Sequence, residues 1–355
     1  MHDVWISHLG HALPGPAISQ AKAVSWLEAR LHPDTDRVRF HGFAKRSGVA
    51  YRHSVLDIEG TEADVFFPLV GHAASTMTER SLAFNAKALP LSLSAVDRAC
   101  PEGLGDITHV IVTTCTGAVA PGLDIQIATA LALRRDVRRT MISFMGCYAA
   151  IPALRTAWYT CLANPAARVL VVNCELSTLH LKPGPTNEQL IAALLFADGA
   201  TAAVVEAGDA PRGRSLRILG DASALVPDSA DQMMWLAGSD GFMLHISPKI
   251  AGSLASELIP LSRSLLGDDR PASSVRWMVH PGGPRILDVV ENRLALPHGS
   301  LTSSRHELAE GGNRSSATVL AILEREMRQP WSGPVVLMAF GPGLTADALL
   351  LERCP

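Results

Sequence analysis

Short runs of β-branched and aliphatic residues alternate along the chain with longer stretches in which apolar residues recur every three or four positions. The short runs predict buried strands, and the longer stretches predict amphipathic helices. This alternation indicates an α/β protein. The predicted strands span 109–115, 168–174, 201–205, 276–280 and 334–340. The predicted helices span 21–31, 75–89, 124–133, 148–163, 250–266, 285–294 and 316–327.

A polar segment with Gly and Pro interrupts this alternation near the middle of the chain, at 206–214 (EAGDAPRGR). Turn-forming residues of this kind are typical of connections between structural units. We therefore predict two α/β halves, 1–210 and 211–355.

Composition narrows the possible function classes. Hydrophobic residues make up 48% of the 355 residues and charged residues 18%, which argues against a disordered chain. A net charge of −3 gives no general attraction to nucleic acid or anionic lipid. The longest apolar runs are interrupted before the roughly 20 residues that a membrane span needs, and the first residues lack a signal-peptide pattern. We expect a cytoplasmic protein without membrane insertion.

Six cysteines lie along the chain without CxxC or framework spacing, which predicts free thiols in a reducing compartment. His and Asp residues also lack metal-ligand spacing, so we expect no metal.

Three polar side chains are candidates for chemistry. Cys147 follows a glycine and precedes a predicted helix, whose N-terminal N–H groups favour a thiolate, although a buried cysteine can equally be a small core residue. His280 ends a predicted strand before a Pro-Gly-Gly turn, where it either faces a cavity or caps the turn. Asn313 lies in a Gly-rich loop before a helix, where it either caps the helix or donates its amide N–H to an oxyanion.

Four segments containing or following these residues resemble chalcone synthase and its bacterial type III polyketide synthase relatives: GCYAAIPALR, VHPGGPRILDVVE, GGNRSSATVL and AFGPGLTADALLLE. The resemblance implies a thiolase-like αβαβα layered fold of two related halves, used as a homodimer. It implies that Cys147 is the nucleophile, that His280 pairs with its thiolate, and that Asn313 joins His280 in stabilising the enolate formed when malonyl-CoA loses carbon dioxide. No cofactor is implied, because acyl-CoA and malonyl-CoA are the substrates.

The resemblance also implies a substrate cavity. Phe196 matches a gatekeeper phenylalanine, and Leu244 stands where the family has a second one. Trp235 replaces a cavity glycine of plant chalcone synthases, Cys115 occupies a cavity position that is Thr or Cys in the family, and Ser315 resembles the family's cavity serine. Core packing is the alternative explanation for Phe196, Cys115 and Trp235.

Basic residues are expected at the cavity mouth, because the phosphates of CoA need charge-assisted partners. Arg39 and Arg46 match two basic positions of the family, Lys45 lies beside them, and Arg285 is a further candidate. Gly42 stands at the third family position, and solvation of surface charges is the alternative for the others.

The segment around Trp235 resembles bacterial alkylresorcinol and alkylpyrone synthases, which take long fatty acyl starters. We therefore predict a type III polyketide synthase that loads a fatty acyl starter on Cys147, extends it with malonyl-CoA and cyclises it to an alkylpyrone or alkylresorcinol. Three alternatives remain: a ketoacyl-ACP synthase III-like single condensation, another type III product such as tetrahydroxynaphthalene, and a non-catalytic acyl-CoA-binding protein on the same scaffold.

Overall fold

Strands and helices alternate through residues 2–69, 75–182, 184–210 and 215–354, which are the residues that the computed structural model describes. The strands are β1 (Val4–Ala12), β2 (Ile18–Ser19), β3 (Tyr51–Arg52), β4 (His109–Thr114), β5 (Arg138–Ser143), β6 (Arg168–Leu176), β7 (Asp198–Ala207), β8 (Leu216–Leu225), β9 (Met233–Gly238), β10 (Gly241–Ile246), β11 (Arg276–Val279), β12 (Gly333–Gly341) and β13 (Thr345–Arg353). The helices are α1 (Gln20–Glu28), α2 (Arg37–Arg46), α3 (Glu62–Phe66), α4 (Met77–Ala99), α5 (Leu123–Ala130), α6 (Ala150–Ala163), α7 (Asn187–Leu195), α8 (Ile250–Leu266), α9 (Pro284–Arg293), α10 (Thr302–Gly311) and α11 (Ala317–Met327).

Every predicted strand and helix corresponds to an observed element: α8 has the predicted bounds, and the others differ at one or both ends. Several observed elements were not predicted. The missed strands include β1, β5, β8 and β13, and the missed helices include α2, α7 and α10. β5 opens with two exposed arginines, so it lacks the apolar run that signals a buried strand. Helix α4 continues through Pro90, where the prediction stopped, because burial of Leu91 and Ala95 outweighs the lost backbone hydrogen bond.

Nine strands form one mixed sheet in the order β11-β12-β13-β8-β1-β7-β6-β4-β5. Starting from its centre, each half repeats one pattern: β1-β7-β6-β4 on one side and β8-β13-β12-β11 on the other. In both series two antiparallel pairings are followed by a parallel one. This repetition agrees with the expected two related halves. The predicted boundary between 210 and 211 stays a prediction, because 211–214 lie outside the described residues.

The helices form three layers: a central one between the two halves of the sheet, and one on the outer face of each half. Alternate residues of β6 face different layers: Leu170 and Val172 pack in the cluster that contains α4, whereas Val169 and Val171 pack with α6 and α11. The same central cluster includes residues of β12 and β13, and α8 and α9 cover the other face of those strands. The order of layers is therefore helix, sheet, helix, sheet, helix, as predicted, with the two halves of the continuous sheet as the two sheet layers. Strands such as β6 and β12, which lie between two helical layers, are buried on both faces along most of their length.

Helix α6 offers a matched test of the central layer. Leu154 is 0% exposed, whereas Leu162 on the same helix is 38% exposed. Replacing Leu154 with Ala should lower the free energy of unfolding by about 2–5 kcal/mol, because a cavity forms between the two halves. Leu162→Ala should change it by about 0.5 kcal/mol or less. Urea denaturation at one protein concentration measures both, and equal losses would contradict the placement of α6 in the core.

Candidate active site

A cavity of about 510 Å³ lies between the two halves and brings the three candidate residues together. Cys147 comes just before α6, His280 just after β11, and Asn313 between α10 and α11, and all three line this cavity. The sequence pattern alone could not decide whether these residues were core residues, caps or cavity residues. In the structure all three line one cavity.

Cys147 belongs to a 3₁₀ turn, Gly146–Tyr148, that leads into α6. Gly146 has a φ of +81°, and a Cβ atom there would lie 2.5 Å from Cδ of Pro342, so only glycine fits. The backbone N–H of Gly146 donates to Sγ of Cys115 at 3.0 Å. The glycine that precedes the thiol is therefore required both by backbone conformation and by close packing.

Asn313 is held by its backbone and oriented by its side chain. Its N–H donates to the carbonyl of Leu195 and its carbonyl accepts from the N–H of Ala197, both at 2.9 Å. Its Oδ1 accepts from the N–H of Ser315 at 2.8 Å, an Asx turn rather than a helix cap. Ser315 and Asn313 line the same cavity as Cys147, and hydrogen bonding by both side chains lowers the pKa of its thiol.

The surroundings of Cys147 favour the neutral thiol. Burial raises its pKa to about 12, and the charge of Glu175 adds to this, whereas the hydrogen bonds from Ser315 and Asn313 lower it. The helix-terminus argument predicted the opposite direction. Burial wins because the sulfur sits in an apolar cavity, where a thiolate loses most of its hydration.

His280 is 1% exposed, and neither ring nitrogen has a hydrogen-bond partner among the described residues. Burial lowers its pKa to about 3, and the charge of Arg314 acts in the same direction. The imidazole is therefore neutral at pH 7, and no hydrogen bond joins it to Cys147 in this structure. Buried polar atoms are rarely left unpaired, so these nitrogens are candidates for contact with a substrate.

Phe196, Cys115, Trp235, Leu244 and Ser315 all line the same cavity, and their roles toward a substrate stay predictions. The β9–β10 hairpin pairs Trp235 directly with Leu244. The Trp235 Nε1–H donates to the carbonyl of Cys115 at 2.7 Å, which fixes the indole against the cavity wall.

Two functional candidates escaped the sequence reasoning. Glu175, at the buried end of β6, accepts from the Cys115 N–H at 3.0 Å and from the Thr116 hydroxyl at 2.8 Å, and burial raises its pKa. A carboxylate that ends an apolar strand was the available signal. His180 lines a second cavity of about 170 Å³, next to the first and sharing Trp235 with it. No motif pointed to His180.

The basic residues are distributed differently from expectation. Arg39, Lys45 and Arg46 are exposed on α2 and do not line the cavity; Phe43 of that helix does. Arg285, at the start of α9, is the predicted cation that lies in the cavity wall. The helical period explains this difference, because α2 places Phe43 on the side of the cavity and its long basic side chains on the side of the solvent.

Among the described residues, no helix combines the length and hydropathy needed to cross a membrane. Within the same part of the chain, no group of three or more His, Cys, Asp or Glu side chains is arranged to hold a metal ion.

Two family models match the chain: the N-terminal domain of chalcone and stilbene synthases over residues 3–209, and their C-terminal domain over residues 221–355. The bisdemethoxycurcumin synthase of Oryza sativa subsp. japonica is 37% identical over 289 residues, which are 75% of this chain and 72% of the relative. The 1,3,6,8-tetrahydroxynaphthalene synthase of Streptomyces peucetius subsp. caesius is 32% identical over 349 residues, 96% of this chain and 91% of the relative. The solved structure of PKS-I from the brown alga Ectocarpus siliculosus has a TM-score of 0.91 at 26% identity, covering 100% of this chain and 99% of its own.

The chain therefore belongs to the chalcone and stilbene synthase family. It is a type III polyketide synthase with a thiolase-like fold, an acyltransferase of a family that uses acyl-CoA and malonyl-CoA.

Thiol alkylation tests the protonation state of the site in the free enzyme. Because the pKa of Cys147 is raised to about 12, its reaction with iodoacetamide should accelerate about tenfold per pH unit from pH 6 to 8 without a plateau. Mass spectrometry of the Cys147 peptide measures the rate. A rate that is independent of pH across this range would instead indicate a preformed thiolate–imidazolium pair.

Proposed function

We propose that Cys147, His280 and Asn313 form the catalytic centre of a polyketide synthase that starts from a fatty acyl-CoA and makes an alkylpyrone or alkylresorcinol. The observation that carries the proposal is the pair of unpartnered ring nitrogens on buried His280, in one cavity with an amide and a thiol. We propose no cofactor, since the CoA thioesters themselves supply the activated groups, and a cytoplasmic location.

Loading transfers the acyl group from CoA to Cys147. The sulfur attacks the thioester carbonyl, the new C–S bond forms, and CoA leaves as the thiol. Since Cys147 is neutral at rest, its proton must leave in this step, and His280 is the nearby neutral base in the cavity. Catalytic hydrogen bonds often tighten only when the substrate is in place, so a pairing of Cys147 with His280 during loading does not require a hydrogen bond between them beforehand.

Extension begins with malonyl-CoA. Its C–C bond to the carboxylate breaks, carbon dioxide leaves, and the electron pair stays as an enolate on the thioester. An N–H of His280 and the amide N–H of Asn313 donate to the enolate oxygen, whose charge is stabilised strongly away from water. The enolate carbon then attacks the acyl group on Cys147, and the C–S bond breaks. Decarboxylation removes the need for a strong base.

The cavity wall supports an aliphatic starter. Aliphatic side chains form one part of its lining, and burying each methylene of an acyl chain against them contributes about 0.8 kcal/mol. The aliphatic wall is formed by Ile191, Leu195, Ile246, Ile250, Ala251, Leu254 and Ile286. Arg285 at the same cavity is the cation available to the CoA phosphates.

A second candidate is a tetrahydroxynaphthalene-type reaction, in which malonyl-CoA supplies both starter and extender. It is favoured by the 32% identity to a synthase of that name over 96% of the chain. Cys115, which lines the cavity beside Cys147, also occupies a position that resembles that synthase. The two candidates differ in whether an acyl-CoA starter is needed.

We also propose a homodimer. Strand β5 forms one edge of the nine-stranded sheet, and Phe144, directly after it, is 49% exposed. Edge strands readily pair with a second chain, and an exposed aromatic ring beside the edge adds apolar contact area. Light scattering should therefore give the mass of two chains.

A cysteine replacement tests the catalytic assignment. Cys147→Ala should abolish product formation, because the acyl-enzyme bond cannot form. Cys161 lies on α6, is 0% exposed and does not line the cavity, so it provides a matched control. Cys161→Ala should keep activity within about twofold, because it removes only a small buried side-chain group away from the site. Product formation by Cys147→Ala at the rate of the Cys161→Ala control would refute the assignment.

Acyl-CoAs of graded chain length, each with malonyl-CoA, test the starter. We expect kcat/KM to rise with chain length until the cavity is filled, because each buried methylene adds affinity, and to fall beyond that length. Mass spectrometry of the products measures extension number and ring type. Equal product from malonyl-CoA alone would select the tetrahydroxynaphthalene-type reaction and exclude the fatty starter.

A further inference from the structure

Arg314, the residue after Asn313, is buried although it carries a charge. Its side chain is 1% exposed, and it forms an ion pair with Glu307 of α10, which is 2% exposed. Burial opposes ionisation of Glu307, but the charges of Arg314 and Arg325 lower its pKa to about 2, so the pair is charged at pH 7. A charged pair in the interior needs well-placed partners, because its loss of hydration is large.

The path of the Arg314 side chain is lined by glycines. A Cβ atom at Gly199, in β7, would lie 2.7 Å from Cδ of Arg314, and one at Gly311, the last residue of α10, would lie 3.0 Å from its Cζ. The Arg314 N–H donates to the Thr318 hydroxyl at 2.9 Å. Arg314 therefore ties α10, α11 and β7 together, and no larger side chain fits at either glycine without displacing it.

The turn that Arg314 anchors carries the thiol's hydrogen-bond partners. Asn313 and Ser315 flank Arg314 on either side, both line the cavity with Cys147, and both lower the pKa of its thiol. Ser315 has a φ of +47°, a conformation that costs free energy for a residue with a side chain and persists only where the surroundings enforce it. The buried pair between Arg314 and Glu307 constrains this turn from within the protein interior, in addition to the hydrogen bonds of Asn313.

We propose that the Arg314–Glu307 pair is a positioning device for the condensation reaction, which holds the turn that presents Asn313 and Ser315 to the Cys147 thiol. The inference rests on the proposed function of that thiol. Arg314 does not touch the cavity, so it is a positioning residue rather than a catalytic one.

Arg314 also acts on His280 through its charge. The charged or titratable side chains that line the cavity with His280 are Cys115, Cys147, Glu188 and Arg285. Glu307 and Arg314 are buried outside that lining, and β12 carries no such group. Helices α9 and α10 carry further charged or titratable residues that do not line the cavity: Asp288, Glu291, Arg293, Arg305, His306 and Glu310. Of these, Arg314 lowers the pKa of His280, together with burial. R314M removes the charge and should therefore raise the pKa of His280. R314K keeps a positive charge close to the same place and should leave that pKa unchanged.

Arg325 provides a matched control. It binds the other oxygen of the same Glu307 carboxylate, with Nε 2.7 Å from Oε2, but its side chain is 35% exposed and it lies on α11 away from the turn. Replacing Arg325 removes an ion pair of Glu307 without releasing Asn313 or Ser315. A purely structural effect of the ion pairs should appear in both the Arg314 and the Arg325 variants.

The experiment compares R314K, R314M, R325K and R325M. The measured rate is kcat for carbon dioxide release from malonyl-CoA, in the presence of the acyl-CoA that the wild type prefers. For R314K we expect this kcat to fall about tenfold, because a displaced hydrogen-bond donor stabilises the transition state less well. The acid limb of its pH–kcat profile should stay in place. R314M should lower kcat further and shift that limb to higher pH by about half a unit or more. Both Arg325 variants should stay within twofold of wild type.

Alkylation of Cys147 by iodoacetamide in the free enzyme separates this proposal from the proposed function. Loss of the Asn313 and Ser315 hydrogen bonds raises the thiol pKa, so R314K should react about threefold more slowly at pH 8 than R325K. This difference in alkylation rate is expected even if the wild type makes no polyketide, a result that would refute the proposed function but not the positioning role. If R314K and R325K match in kcat and in alkylation rate, the positioning role is refuted. Should R314M not fold, the two lysine variants decide the question.

Discussion

The environment of the Cys147 thiol, a half-buried residue in the wall of a cavity, is the constraint on which the rest of the site depends. In its apolar cavity the thiolate loses most of its hydration, so the neutral thiol is favoured and the hydrogen bonds from Asn313 and Ser315 are the nearby compensation. The same lack of water strengthens each hydrogen bond to a developing enolate and protects a thioester from hydrolysis. The same environment therefore disfavours ionisation of the resting Cys147 thiol and favours the later steps that involve the enolate and the thioester.

The layered fold explains how this environment forms at one point. Cys147 precedes α6 and Asn313 precedes α11, and both helices lie in the central layer between the two halves of the sheet. His280 directly follows β11, the strand whose counterpart in the first half is β4. Each half contributes part of the site, and neither half encloses the cavity alone. Packing between the halves thus determines both stability and the geometry of the site.

Family membership and site geometry answer different questions. The matches over 3–209 and 221–355 establish the type of enzyme, and the relatives include synthases named for quite different products. The cavity of this chain has Trp235 held against Cys115, aliphatic side chains in its wall, and Arg285 rather than the α2 cations in its lining. Differences of this kind alter the space and charge that a substrate meets while the thiol and its partners stay in place.

Sequence by itself determined the fold class and the identity of the three candidate residues. Buried strands such as β4 and β6 are readable because both their faces are apolar, and the segments around Cys147, His280 and Asn313 carry a family resemblance that does not depend on coordinates. Weakly patterned elements such as β5 were not readable, because sheet neighbours rather than local apolar runs place them. Only the tertiary structure decided which way each side chain turns and how far it is from water. The direction of the Cys147 pKa, the outward arginines of α2 and the buried Arg314–Glu307 pair depend on groups distant in sequence, and solvation and charge act through space.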